Sequence, residues 1–340
     1  MSCFIIAEAG VNHNGDLNLA IELVKAAKDA GADAVKFQTF KADTLVNKTV
    51  GKADYQRRNS PDSTTQYQML KELELSEEHH YLLSDLAFKL GIEFMSTGFD
   101  HQTVDFLVDL GVKRIKIPSG EVTNLPYLRH CAKTGLPLIL STGMCDLAEV
   151  KTAIDTVQPF YGDQLNNKLV LLHCTSNYPT AFSDVNLRAM QTLAREFHLP
   201  VGYSDHTLGV LVPTMAIAMG ACVIEKHFTL DQTLPGPDHQ ASMTPDELRE
   251  LVHCIRNAEA ALGNGGKKPS ESELPIRALV RRSVTLKTDL MKGDSIKEED
   301  IQLLRPGTGI SPADFSKIIG TKLTLDLPAG TTLLWEHIEA

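Results

Sequence analysis

Eight short apolar runs recur through the first two thirds of the chain, at residues 4–7, 34–37, 92–95, 114–117, 137–140, 169–172, 201–203 and 223–224. Helical patterns lie between them, at 17–30, 76–90, 102–110, 125–134, 147–157, 186–197 and 244–262. In 17–30 the spacing puts Leu19, Leu23, Ala26 and Ala27 on one face, and Gly31 ends the pattern. Strands that alternate with helices build a parallel sheet, and eight such units predict closure into a (β/α)8 TIM barrel. Almost every run ends in a polar residue: Glu8, Lys36 and Gln38, Ser96 and Thr97, Lys116 and Ser119, Ser141, His173 and Ser176, Ser204 and His206, Glu225 and His227. The active site of such a barrel lies at the C-terminal ends of its strands. One pattern therefore predicts both a fold and the place of its chemistry.

Composition narrows the partners. The chain has 340 residues, 43% of them hydrophobic, enough for a large domain and a small one. Its formal charge is −10, from 33 basic and 43 acidic residues, and no basic tract appears, which argues against nucleic acid. An anionic substrate would need a local positive pocket. The six cysteines, at 3, 131, 145, 174, 222 and 254, include no CxxC pair and read as free thiols of a reducing cytoplasm. The N-terminus lacks the basic region and long apolar run of a signal peptide. The apolar stretch 208–224 is broken by Pro213 and Gly220 and reads as a buried barrel helix rather than a membrane span.

Two segments fall outside the repeat. Residues 41–75, polar and containing Asn59-Ser60-Pro61-Asp62, separate the second strand from its helix. A long loop there is either a substrate-contacting lid or a plain surface insertion. After the barrel (1–263), a Gly- and Lys-rich linker at 264–279 leads into a small β-rich module at 280–340, with short strands expected at 283–286, 323–325 and 332–334.

The strand ends suggest three kinds of chemistry. His206 and His227 follow strands seven and eight, and two imidazoles with water and a carboxylate suit Mn2+ or Zn2+; the alternative is that either histidine is simply hydrogen-bonded in place. Lys36 and Lys116, with Ser119, Ser141 and Ser204 and the small-residue turns Pro118-Ser119-Gly120-Glu121 and Ser141-Thr142-Gly143, would cradle phosphate and carboxylate, unless each lysine is paired with a barrel carboxylate. Glu8, Glu121, Glu225 and Asp238 are acceptors for sugar hydroxyls, or one of them a base for water; Glu121 reads as readily as a structural acceptor.

These residues stand in motifs that closely resemble the sialic acid synthase family: Ile5-Ile6-Ala7-Glu8-Ala9-Gly10-Val11-Asn12-His13-Asn14-Gly15, Val35-Lys36-Phe37-Gln38, Lys116-Ile117-Pro118-Ser119-Gly120-Glu121, Ser141-Thr142-Gly143-Met144, His173-Cys174-Thr175-Ser176-Asn177-Tyr178-Pro179, Gly202-Tyr203-Ser204-Asp205-His206-Thr207, Glu225-Lys226-His227-Phe228-Thr229 and Gly236-Pro237-Asp238. The tail resembles that family's antifreeze-like (SAF) domain through Lys292-Gly293-Asp294 and Leu304-Arg305-Pro306-Gly307-Thr308-Gly309-Ile310.

The resemblance implies condensation of phosphoenolpyruvate and water with N-acetylmannosamine or a close N-acetyl sugar, giving a nine-carbon 2-keto sugar acid and phosphate. Its alternative is the same chemistry on 2,4-diacetamido-2,4,6-trideoxymannose, leading to N,N'-diacetyllegionaminate. It further implies that His206 and His227 hold a divalent metal, Mn2+ ahead of Mg2+ or Co2+, and that Lys36, Lys116, Ser119, Ser141 and Ser204 hold phosphoenolpyruvate beside Thr97 and Ser176. Glu8, Gln38, Tyr178, Glu225 and Asp238 would meet the sugar, metal-bound water or the reacting centre. Arg305 would cross from a partner subunit to the N-acetyl group, which predicts a domain-swapped homodimer. Ser176 departs from members that carry Asn there, and Asn177 is its neighbour. Two other classes compete: a Schiff-base aldolase using Lys116 or Lys226, and a non-catalytic protein that binds through its antifreeze-like module.

Overall fold

The computed structural model describes residues 2–52 and 65–339. Eight parallel strands form a closed barrel in sequence order: β1 (Phe4–Gly10), β2 (Ala34–Thr39), β3 (Glu93–Gly98), β4 (Ile115–Ile117), β5 (Leu138–Ser141), β6 (Leu169–Cys174), β7 (Val201–Asp205) and β8 (Val223–His227). β8 pairs back onto β1 in the register Ile6↔Glu225 and Glu8↔His227. Several strands run past their apolar cores, so polar ends such as Glu8 and His227 are strand residues rather than loop residues.

Alternation within the strands sorts the side chains. Ile5, Ala7, Val35, Phe37, Leu138, Leu140, Leu171 and Ile224 face outward and pack with the helices in the main core. Ile6, Ala34, Met95, Ile139, Leu172 and Val223 form a separate cluster inside the barrel. Successive side chains of a strand point to opposite faces, so the residue two positions further along lies one layer higher in the interior. From those six residues the rule reaches Glu8, Lys36, Thr97, Ser141, Cys174 and Glu225. Gly202 belongs to the apolar layer as well: a Cβ there would run into the Val223 carbonyl and the Leu172 side chain, so its lack of a side chain makes room for Leu172.

The helices begin where short polar side chains cap them. Ser76 accepts from His79 N at the start of Glu77–Leu90, and Asp146 and Thr244 form capping boxes for Leu147–Tyr161 and Pro245–Leu262. On Leu17–Asp29 the buried face is Ala20, Leu23, Val24 and Ala27, rotated from the expected one. The apolar stretch 208–224 departs from expectation: only Leu211–Ala218 is helical, and Leu208, Leu211 and Met215 are exposed while Val212, Ala216 and Ile217 are buried. Gly220, at φ +99°, closes that helix, and β8 follows. Among the described residues no helix is long and apolar enough to cross a membrane.

The chain divides into two compact units, Met1–Gly263 and Asn264–Ala340. The stretch expected to be a linker carries a helix, Glu273–Val280, whose start is closed by Ser270 N and Oγ donating to the Glu273 carboxylate. The second unit has its own core of Val284, Leu286, Ile296, Ile301, Ile310, Ile318, Leu323, Leu327, Leu333 and Ile338. Its sheet is β9 (Ser283–Leu286) against β10 (Ile301–Leu304), antiparallel. β10 was not anticipated, and the expected strands at 323–325 and 332–334 are single bridges, Leu323↔Ile338 and Thr285↔Thr332. Turns at Gly320 and Gly330 interrupt pairing before a ladder can grow.

Of the long second loop, the flanks contain helices Ala42–Leu45 and Gln66–Glu72. Asn59-Ser60-Pro61-Asp62 lies outside the described residues.

Candidate active site

A cavity of about 220 Å3 opens at the C-terminal end of the barrel. Its lining takes in thirteen of the residues singled out above: Glu8, Lys36, Gln38, Thr97, Lys116, Ser119, Ser141, Ser176, Tyr178, Ser204, His206, Glu225 and His227. Phe99, Pro118, Gly120, Met144 and Cys174 complete it. Asn177, whose Oδ1 accepts from Tyr178 N, is not among the lining residues, so Ser176 is the member of that pair at the cavity.

The floor is a buried ionic network. Lys36 is ion-paired with Glu8 and lies 3.7 Å from Glu225, and Lys116 lies 3.3 Å from Glu225 Oε1. Lys36 and Lys116 are thus both paired with barrel carboxylates and both part of the cavity lining. Lys36 also donates to Thr97 Oγ1 at 3.0 Å, and Ser204 Oγ donates to Glu225 Oε1 at 3.1 Å. Burial pushes the Glu8 carboxyl up to about 7 despite the nearby Lys36 ammonium. Burial acts on Glu225 too, but the ammonium groups of Lys116 and Lys36 outweigh it and hold that carboxyl at about 2. Two carboxylates with divergent environments are suited to different roles, one exchanging protons and one remaining an anion.

The histidines stand over one side of this floor, ring centroids 5.6 Å apart. The Tyr178 ring lies 4.1 Å from His206 and 5.6 Å from His227. His206 Nδ1 donates to the Thr175 carbonyl at 2.6 Å, which leaves Nε2 with a free lone pair. Burial lowers the affinity of both rings for a proton, and His227 Nδ1 is a buried nitrogen without a hydrogen-bond partner among the described residues. A neutral imidazole oriented through its other nitrogen, as His206 is, suits a borderline divalent ion. Asp238 is buried, with Oδ2 3.9 Å from His227 Nδ1. Among the described residues no group of three or more His, Cys, Asp and Glu side chains converges as a metal site. His206 and His227 would supply two ligands to an ion, leaving its other positions to water or substrate.

Other sequence-derived candidates stand outside this lining. Glu121 is not part of the cavity lining: it sits in a 3-10 turn and accepts from Asn124 Nδ2 at 2.6 Å, the structural role that had been its alternative. His173 has the outward parity of β6; its Nε2 donates to the Val185 carbonyl, and it lines a neighbouring cavity. Arg305 is exposed in the second unit. Lys226 also faces out of the barrel, 1% exposed, with Nζ 2.5 Å from Asp205 Oδ2 and donating to the Thr207 carbonyl, so it is unavailable as a Schiff-base nucleophile. Sequence reasoning missed Cys174. Its signal was there: Cys174 is two residues beyond Leu172, on the interior parity of β6.

A NeuB family model matches residues 23–267, and a SAF domain model matches residues 281–339. The chain belongs to the NeuB family. It is a phosphoenolpyruvate-dependent enzyme that forms a carbon–carbon bond. An N,N'-diacetyllegionaminic acid synthase of Legionella pneumophila is 73% identical over 340 residues, covering 100% of this chain and 96% of that protein. The human N-acetylneuraminate-9-phosphate synthase is 35% identical, covering 99% of this chain and 93% of its own length. The solved structure of the N-acetylneuraminic acid synthetase of Leptospira borgpetersenii superposes with a TM-score of 0.72 at 36% identity, covering 81% of this chain and 90% of that one. The (β/α)8 barrel with its SAF domain is thus the architecture of a NeuB-type synthase.

Proposed function

We propose that this NeuB-family enzyme condenses phosphoenolpyruvate and water with 2,4-diacetamido-2,4,6-trideoxymannose, releasing phosphate and N,N'-diacetyllegionaminate. The full-length likeness to the Legionella legionaminic acid synthase supports this reading over N-acetylmannosamine, which the motifs alone had placed first. The catalytic floor does not discriminate between the sugars, because its residues face the parts that both reactions share.

In this reading Lys36 and Lys116 bind the anionic groups of phosphoenolpyruvate, with Ser119, Ser141, Ser204, Thr97 and Ser176 supplying hydroxyls. Gln38, Tyr178 and Asp238 orient the open-chain sugar. His206 and His227 hold the divalent ion, Mn2+ ahead of Mg2+ or Co2+, which supplies Lewis-acid polarisation of the aldehyde carbonyl. C3 of phosphoenolpyruvate attacks that carbonyl carbon, forming the new C–C bond, and the aldehyde oxygen takes the proton of a neutral Glu8. Positive charge develops at C2, above the Glu225 carboxylate. Water adds to C2 and returns a proton to Glu8, and phosphate then leaves by C–O cleavage, carrying the C2 hydroxyl proton and creating the 2-keto group. Holding both substrates face to face supplies much of the rate. Arg305 of a second copy would meet an N-acetyl group, making the working form a homodimer. The cytoplasm, where phosphoenolpyruvate is available, is the expected compartment.

The test is kcat/KM from phosphate release over a panel of N-acetyl sugars. The diacetamido sugar should exceed N-acetylmannosamine by about 100-fold or more, because a site built around a second acetamido group leaves polar groups unpaired when it is missing. A ratio in favour of N-acetylmannosamine overturns the assignment.

A further inference from the structure

Cys174 is a cavity residue to which neither motif nor family likeness gives a role, and its surroundings are specific. It is 5% exposed, and its Sγ lies 3.2 Å from Ser119 Oγ. The backbone N–H of Gly143 donates to the same Ser119 oxygen at 2.9 Å. The spot where a Gly143 Cβ would sit is within 2.5 Å of Ser176 Oγ, 2.8 Å of Cys174 Sγ and 2.9 Å of Ser119 Oγ. Three side chains, from the ends of β4 and β6, thus converge on the one glycine that follows β5, and any side chain at 143 would push them apart. Ser141, 3% exposed, lines the same cavity with an Oγ that has no hydrogen-bond partner among the described residues, a donor left for a ligand.

A hydroxyl has one proton and two acceptor lone pairs. Gly143 N–H occupies one lone pair of Ser119. We propose that Cys174 is a positioning residue for the anion cradle: its S–H donates to the second lone pair, so the Ser119 hydroxyl must point its own proton into the cavity, at a phosphoenolpyruvate oxygen. The inference rests on phosphoenolpyruvate as the substrate of this site and is independent of which sugar follows. Burial raises the Cys174 thiol, which keeps the required proton on sulfur at neutral pH. With the thiol removed, the Ser119 hydroxyl has a vacant lone pair and is free to rotate, so a donor fixed in advance becomes one that must be ordered on binding.

Calorimetric titration with phosphoenolpyruvate, without sugar, tests this in the full-length protein. Cys174→Ala removes the donor, Cys174→Val removes it while filling the space, and Cys174→Ser keeps a donor. Loss of one oriented hydrogen bond to a charged ligand should weaken phosphoenolpyruvate about 5- to 10-fold in the Ala and Val variants. The Ser variant should stay within about twofold of the parent, and the sugar KM should be unchanged in all three. Restoration by serine separates orientation from packing, since serine fills the apolar space no better than alanine. Equal affinity in all four forms overturns the proposal, and so does a Ser variant as weak as the Ala variant. Either result leaves the sugar assignment intact, because no sugar is present.

Discussion

Lys116 reaches across the floor of the barrel to Glu225, Nζ 3.3 Å from Oε1, with both side chains buried. Lys36 joins them from the other side at 3.7 Å, so one carboxylate answers two ammonium groups. Removing it strands buried positive charge. Glu225→Leu should therefore destabilise the barrel by about 3–5 kcal/mol in urea unfolding. Adding Lys116→Met to that variant should restore part of the loss. A Glu225→Leu protein within about 1 kcal/mol of the parent would show that water, not the carboxylate, compensates the lysines.

The Lys226–Asp205 pair lies on the outward side of the same strands, and Lys116 is held by Glu225. Neither amine is placed to attack a ketone. Borohydride reduction with pyruvate, followed by intact-mass measurement, should leave the protein unmodified. An adduct mapped to Lys116 or Lys226 would revive the aldolase reading.

His13 and His239 are fully buried and neutral, pushed down to about 3 and about 4 by desolvation. Neighbours fix one ring: His239 Nε2 donates to Asn14 Oδ1 at 3.1 Å, and its Nδ1 accepts from Thr229 Oγ1 at 2.7 Å. Both folded values lie below the unfolded one, near 6.5, so the unfolded chain binds more protons as pH falls. Their contribution is complete above 6.5 and is lost progressively below it, toward pH 4 and then 3. At pH 5.5 each should cost about 1.4 kcal/mol relative to pH 7.5. His239→Gln should flatten the acid limb of a stability–pH curve measured by urea unfolding, at the expense of some stability at neutral pH. A variant with the parental slope would remove His239 from the account.

Chelation bears on the two active-site histidines. Dialysis against EDTA should abolish phosphate release, and Mn2+ should restore it. His206→Gln and His227→Gln should each lose binding of Mn2+ measured by calorimetry, a readout separate from turnover. Full activity after exhaustive chelation would leave these rings a purely organic role.

The barrel was legible because its signal is repeated eight times: apolar runs at helix-and-strand spacing, each ending in a polar residue. The site was legible at the level of residue type, and thirteen of the singled-out side chains meet in one cavity. His173 was grouped with the cavity residues for a simple reason. Proximity to a strand end does not say on which side of the sheet a side chain emerges, and one residue of offset exchanges cavity for outer shell. Cys174 was overlooked by the same error in reverse. The C-terminal module was read least well, since its short bridged segments have too few residues for a period to emerge.

The sequence alone determined the strand count of the barrel, the presence of a second small unit and the chemical inventory of lysines, serines, carboxylates and histidines, because these follow from local periodicity and side-chain type. Only the tertiary structure decided how that inventory is wired. Barrel closure puts β8 beside β1, and so brings Glu8, Lys36, Lys116 and Glu225, spread along the chain from β1 to β8, into one buried network. Burial there raises the Glu8 carboxyl to about 7, while the ammonium groups of Lys116 and Lys36 hold Glu225 at about 2, and no local pattern encodes either.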